Sequence, residues 1–183
     1  MDQRHSRRLP WIVLAVLMTA GCHDDDVLAP SGCGAVPGQI GQPAVVRTVP
    51  DAPSYHVGDT VEIVVRIEGA TNVGSVPFRL RHTTQILEFV PPAREGSFMS
   101  CDGSGTAFLA DGSTVPGEIV VALSRLGGGE GAAGSGDLAT FRFSAVSAGR
   151  AVLAFTGASV KDPQARNLPA SFLGATITID PAI

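Results

Sequence analysis

The chain has 183 residues, of which 44% are apolar and 16% charged, and a formal charge of −4. That balance excludes a chain disordered throughout, and the lack of a Lys/Arg cluster beyond Arg8 argues against a nucleic-acid partner. Twenty-two glycines and 13 prolines suit many short strands joined by turns, and no run of helical periodicity stands out after the N-terminal segment.

The chain begins with Arg4, Arg7 and Arg8, followed by an apolar stretch from Trp11 to Ala20 and then Gly21-Cys22. The apolar stretch is too short to span a bilayer as a helix. A basic head, an apolar middle and a small-residue exit describe a signal peptide over residues 1–21. The Cys after Ala-Gly resembles the bacterial lipoprotein signal, with Thr19 standing where that pattern usually carries Leu, Val or Ile. The expectation is lipidation of Cys22, with ordinary cleavage nearby as the alternative. Several acyl chains on one residue give lasting membrane attachment, at about 0.8 kcal/mol per buried CH₂. Cleavage would leave a chain of charge −6, since Asp2 and the three arginines are lost. Residues 22–43 read as a Gly/Pro/Ala-rich tether. Its His23-Asp24-Asp25-Asp26 cluster could meet a divalent cation only weakly, because a flexible segment cannot fix ligand geometry.

Residues 44–180 read as one all-β domain, with 181–183 as a tail. Ala44 to Val49 is a first strand, ended by Pro50-Asp51-Ala52-Pro53. Val61, Ile63, Val65 and Ile67 then alternate with Glu62, Val64, Arg66 and Glu68, which puts the first set on one face. The next strand turns Val76, Phe78 and Leu80 inward and Ser75, Pro77, Arg79 and Arg81 outward. Pro77 has no N–H, so its strand is expected to be irregular or near an edge. A third, short strand carries Leu87 and Phe89 inward after the His82-Thr83-Thr84-Gln85 junction.

Thr106 to Ala110 is a short strand with Asp111-Gly112 as its turn. Glu118 to Leu123 follows, with Ile119, Val121 and Leu123 inside. Arg125 to Gly136 reads as a mobile loop or one ordered by a partner, having no large apolar side chain after Leu126. Asp137 to Val146 returns to strand, with Phe141, Phe143 and Ala145 inside. Gly149 leads into Ala151 to Phe155, Lys161-Asp162-Pro163 opens a loop, and Ala175 to Ile179 closes the fold. About nine strands at turn-punctuated spacing predict a β-sandwich, with Phe78, Phe89, Phe141, Phe143 and Phe155 in its core.

With Cys22 assigned to lipid, Cys33 and Cys101 are left in an exported, oxidising setting. They are candidates for one disulfide, with two free thiols as the alternative. Such a bridge would close a loop of nearly 70 residues, worth on the order of 4 kcal/mol in the chain-entropy account.

Val57-Gly58-Asp59-Thr60-Val61 resembles the opening of a cohesin module of the bacterial cellulosome type. Val73-Gly74-Ser75-Val76-Pro77-Phe78-Arg79-Leu80, then Gln85-Ile86-Leu87-Glu88-Phe89-Val90, is similar to that family's strand, turn and Leu-Glu-Phe-Val. Gly96-Ser97-Phe98 and the run from Gly136 to Ala145, with Gly149 after it, resemble later family motifs. The resemblance spans roughly Ala44 to Ile179 and rests on the order and spacing of its parts. It implies a nine-stranded jelly-roll sandwich that holds a partner protein on one sheet face. In the cellulosome that partner is a dockerin, a calcium-loaded helical module on a polysaccharide-degrading enzyme. The chain departs from the family where His82-Thr83-Thr84 stands for Tyr-Asp-Pro and where Ser75-Val76-Pro77 stands for Asn-x-Asp. Dockerin-binding residues are therefore not carried over.

The expected function is that of an envelope lipoprotein presenting a cohesin-like protein-binding module, a monomer without cofactor, held to a bacterial membrane through Cys22. Ser75, Arg79 and Arg81 are the candidate partner-binding residues, with solvated strand charges as the bland alternative. Carbohydrate binding is the second reading, though Trp11 and Tyr55 are the only Trp and Tyr available to stack on sugar rings. An enzyme is not expected. His23, His56 and His82 match no metal-hydrolase spacing, no Gly-x-Ser-x-Gly elbow occurs, and no spacing pairs two carboxylates for acid/base work.

Overall fold

The computed structural model describes residues 42–183. The expected signal peptide, the lipidation site Cys22, the disulfide candidate Cys33 and nearly all of the tether lie outside them. The described part is a β-sandwich of jelly-roll type. A five-stranded sheet has the order β12-β1-β3-β8-β5 and a six-stranded sheet the order β2-β13-β9-β4-β7-β6. The strands are β1 (Ala44–Pro50), β2 (Tyr55–His56), β3 (Thr60–Val73), β4 (Phe78–His82), β5 (Leu87–Glu95), β6 (Thr106–Val115), β7 (Glu118–Arg125), β8 (Ala132–Ala145), β9 (Gly149–Thr156), β10 (Val160–Lys161), β11 (Asn167–Leu168), β12 (Ala170–Leu173) and β13 (Ala175–Asp180). Among these, nine have five residues or more. A single 3-10 turn, Phe98–Ser100, is the only helical element of the described residues.

The alternation in the sequence produces the core directly. Val61, Ile63, Val65 and Ile67 of β3 are fully buried, as are Phe141 and Phe143 of β8, which pairs with β3 from Thr60↔Ser144 to Val73↔Ala132. Phe78, Leu80, Ile119, Val121 and Leu123 face them from the six-stranded sheet. Phe78 meets Phe141 edge-on at 6.4 Å and Phe155 at 5.5 Å, a geometry that suits the aromatic quadrupoles. All eight phenylalanines are buried or packed against this core.

Two expectations need correction. The strand after Thr106 does not turn at Asp111-Gly112; β6 continues through an irregularity to Val115, and Pro116-Gly117 makes the turn. Gly112 lies against the Phe89 ring, so close that a methyl there would come within 2.7 Å of it. The supposed loop Arg125 to Gly136 ends five residues early, because residues 132–136 pair with the distal half of β3. Small residues are what that pairing needs: Ala132, Gly134 and Gly136 are buried, and Gly136 underlies Phe98. Of the two alternatives for Pro77, irregularity is the one observed: it sits mid-sheet and breaks the β4 line into a bridge at Ser75 and a strand from Phe78, between β9 and β7. The closing strand from Ala175 is found as β13, and a further strand, β12, precedes it. β12 pairs in parallel with β1, and the chain then crosses to pair β13 with β9. Gly174 makes the crossing, at a point where a methyl group would overlap the Leu153 carbonyl oxygen.

Between β10 and β11 the turn is held by one carboxylate. Asp162 Oδ1 accepts from the amides of Gln164 and Arg166, each at 2.9 Å, and Oδ2 accepts from Arg166 Nε at 2.7 Å. The Asp162 side chain is 3% exposed. Burial pushes its carboxyl up, but the Arg166 amide and guanidinium, with the Gln164 amide, outweigh burial, so the group is held below its ordinary value. A depressed folded value means stability that is present above the unfolded pKa, about 3.9, and lost as pH falls through the folded one. Asp162→Asn is therefore expected to lower Tm at pH 7, with the gap to wild type closing in melts taken below about pH 3.

Candidate functional site

The outer face of the six-stranded sheet is the surface on which the predicted residues converge. Its rows follow from register. Thr156 of β9, Arg79 of β4, Val120 of β7 and Asp111 of β6 stand side by side; Ala154, Arg81 and Glu118 form the next row. In the other direction Leu109 stands opposite Ala122, and Ala107 opposite Ser124. Arg150 and Val152 extend the face along β9, opposite Thr178 and Thr176 of β13.

Two kinds of group dominate this face. Leu109 and Val152 are 60% and 49% exposed, and Ala107 and Ala122 are exposed beside Leu109. Arg79 and Arg81, both more than half exposed, converge on Glu118, their Nε atoms lying 3.3 and 3.8 Å from its two oxygens. Glu118 is much more enclosed, at 16%. One carboxylate thus underlies two guanidinium groups. Asp111 is a further carboxylate of the face, its oxygens accepting from the Ser113 amide, the Ser113 hydroxyl and the Thr114 hydroxyl. Those hydrogen bonds, Ser113 first, bring its carboxyl down to about 2.

Ser75 lies on the same line as Arg79 and Arg81 but beyond the break at Pro77, bridging Lys161 on one side and Ser124 on the other. It faces a polar cleft of about 440 Å³ at that end of the sandwich, lined also by Asp102, Ser104, Arg125 and Glu130. The Arg125 side chain is 10% exposed, and its Nη2 donates to Asp102 Oδ2 at 2.6 Å and to the Ser104 hydroxyl. The Arg125 hydrogen bond holds the Asp102 carboxyl well below the usual range. This contact ties the segment after the 3-10 turn to β7. Cys101, in that segment, is disulfide-bonded, and its Sγ lies 3.0 Å from the Phe98 carbonyl oxygen. Of the six predicted residues, three therefore share one strand line, Cys101 lies at the end of the sandwich, and Cys22 and Cys33 fall outside the described residues.

A second cleft, of about 550 Å³, opens at the seam between the sheet edges β5 and β6 and is lined by His82, Leu87, Phe89, Gly112, Pro116 and Val146. His82 lies 5.0 Å from the Phe143 ring, and burial lowers its pKa, so the imidazole is neutral at pH 7. Its Nδ1 is buried without a hydrogen-bond partner among the described residues.

The carbohydrate reading loses its support on this surface. Tyr55 is 4% exposed, its hydroxyl donating to Asp51 Oδ1 at 2.7 Å. Burial and that bond push its pKa up to about 12. The large exposed apolar residues of the described chain are aliphatic without exception, so no fully exposed aromatic ring offers a stacking platform among them. Glu118, Leu109 and Val152 were missed as site residues. Alternation turned them outward, but only strand order puts them beside Arg79 and Arg81.

Residues 46–178 match the Cohesin domain family. No curated protein matches the chain. Among solved structures, the fold is similar to a non-cellulosomal cohesin of Archaeoglobus fulgidus, with TM-score 0.60 at 20% identity over 75% of this chain and 91% of that one. It is similar to a type II cohesin domain from the cellulosome of Acetivibrio cellulolyticus, with TM-score 0.65 at 14% identity over 74% and 95%. A type I cohesin–dockerin complex from Clostridium thermocellum gives TM-score 0.61 at 18% identity over 76% and 93%. A family match covering most of the chain, on a sandwich of this topology, makes the chain a member of the cohesin family.

Proposed function

We propose that this chain is a lipoprotein of the bacterial envelope whose cohesin module binds a protein of dockerin type on the outer face of the β2-β13-β9-β4-β7-β6 sheet. Cohesin domains are non-catalytic protein-interaction modules, and structures similar to this one include cohesins in complex with dockerins. The observation that carries the reading is the face itself. Leu109 and Val152 stand exposed on the same face as Arg79 and Arg81, on either side of them, on strands that are paired. Exposed aliphatic area around central arginines suits a protein interface, in which Arg is enriched. Ser75 lies at one end of this face.

The leader reading supports the anchor. A Cys22 bearing lipid would hold the domain at the membrane through a tether of about 20 residues, giving it a reach of a few tens of ångströms at about 3 Å per residue. The disulfide of Cys101 is proposed to run to Cys33, so that the tether leaves the domain from the end of the sandwich near Asp102.

Three outcomes are expected. Mass spectrometry of the N-terminal peptide finds a diacylglyceryl thioether on Cys22, and Cys22→Ala moves the protein from the membrane to the soluble fraction. A non-reducing peptide map links Cys33 to Cys101, and Cys33→Ser lowers stability by on the order of 4 kcal/mol or less. Detergent-solubilised full-length chain, used as bait on envelope extracts, retains a partner that Leu109→Asp releases. Equal recovery by wild type and Leu109→Asp would exclude this face as the binding surface.

A further inference from the structure

We propose that the partner meets this face with a surface of carboxylates bordering an apolar ridge, the carboxylates seated on Arg79 and Arg81 and the ridge on Leu109 and Ala122. This rests on the protein-binding reading above and adds the chemistry of what is bound.

The two outer faces of the sandwich treat their charges differently. On the five-stranded sheet each arginine that forms an ion pair has its own carboxylate: Arg47 with Glu68 at 3.0 Å and Arg66 with Asp137 at 3.1 Å. On the six-stranded sheet two arginines share Glu118, at the longer distances of 3.3 and 3.8 Å. Glu118 is 16% exposed while Arg79 and Arg81 are 54% and 60% exposed, so the guanidinium groups, not the carboxylate, meet solvent. Arg150 adds a third exposed cation on β9. Asp111, hydrogen-bonded by Ser113 and Thr114, and Asp180 at the end of β13 are further carboxylates of the face, on other strands. The Arg79–Arg81–Glu118 cluster itself sets two cations on one more enclosed carboxylate, a local positive excess on a chain whose net charge is −4.

A guanidinium carries five N–H donors in a planar fork that fits a carboxylate with two parallel bonds. Each of Arg79 and Arg81 gives Glu118 a single Nε contact, leaving the rest of each fork free to receive a carboxylate from outside. In the row beyond Arg79, Ala122 one strand spacing from β4 and Leu109 two spacings from it offer an uncharged patch where charged groups would be desolvated without compensation. The complement is a surface with two acidic side chains on one side and aliphatic side chains diagonally across from them, roughly 10 to 15 Å away. Opposite charges of this kind speed encounter and fix register.

The test measures fluorescence anisotropy of labelled amphipathic peptides against the detergent-solubilised full-length chain. One peptide is built from Glu, Leu and Ala; a second replaces every Glu with Lys, and a third replaces every Leu with Ala. The Glu/Leu peptide is expected to bind at least tenfold tighter than either of the others and to weaken as salt is raised from about 0.05 to about 0.5 M. Arg79→Gln/Arg81→Gln is expected to lose tenfold or more, Leu109→Asp a similar factor, and Arg47→Gln on the opposite face nothing. Glu118→Gln, which removes the internal competitor for both arginines, is expected to tighten binding severalfold. That gain could not come from a misfolded variant. Glu and Lys peptides binding alike, or unchanged affinity in both the double-arginine variant and Glu118→Gln, would overturn the acidic-partner inference; sensitivity to Leu109→Asp would then still support this face as the protein-binding surface. Polyglucuronate binding as tightly as the Glu/Leu peptide and indifferent to Leu109→Asp would mean a general polyanion site and would also overturn the inference. No response of any peptide to Arg79, Arg81 or Leu109 would remove the inference and the protein-binding reading of this face together.

Discussion

The pairing of β3 with β8 is the constraint on which the rest of the molecule depends. Both strands are 14 residues long, and they run antiparallel from Thr60↔Ser144 to Val73↔Ala132. Their inner side chains, from Val61 and Ile63 through Phe141 and Phe143, form the layer onto which the second sheet folds. A slip of one residue would turn all of them to solvent, so the alternation of β3 fixes register as well as direction. The far half of the pair survives on small residues and bulges. Large side chains would be lost to the close approach of Phe98 over Gly136.

From that layer the chain alternates between sheets. β3 lies in the five-stranded sheet, β4 in the six-stranded one and β5 back in the first. This crossing makes β4 a central strand of the second sheet and thereby sets Arg79 and Arg81 in the middle of an open face. It also leaves β5 and β6 as facing edges, which open the cleft around His82 and Phe89. Gly174 allows the last crossing, from β12 to β13. The proposed binding face is thus a product of topology: its strands belong to the core, while its charges come from the alternate residues that the core does not use.

The aromatic rings that could stack on sugars have gone into the core or against it, and Tyr55 is tied to Asp51. His82, the histidine of the seam cleft, is neutral beside Phe143 and lacks a partner among the described residues. What remains on the surface of the larger sheet is aliphatic contact area with exposed guanidinium groups, the materials of a protein interface.

The period-two alternation of β3, β4, β7 and β8 is legible in the residues alone, and with it which residues are core, the sandwich class and the outward direction of Ser75, Arg79 and Arg81. Those are local properties, set by the pleat and by which side chains leave water. The end of β6, Asp111 to Val115, and the start of β8, Ala132 to Gly136, are not, because small and polar residues carry no hydrophobic period and such a strand is defined by its partner's hydrogen bonds. Nor do the residues alone reveal that Glu118, Leu109 and Val152 belong with the two arginines. They lie on strands up to 73 residues away in the chain, and their neighbourhood is decided by strand order. Which outward residues share a face depends on the fold, because a face is made by long-range pairing between strands that are each, on their own, merely half polar.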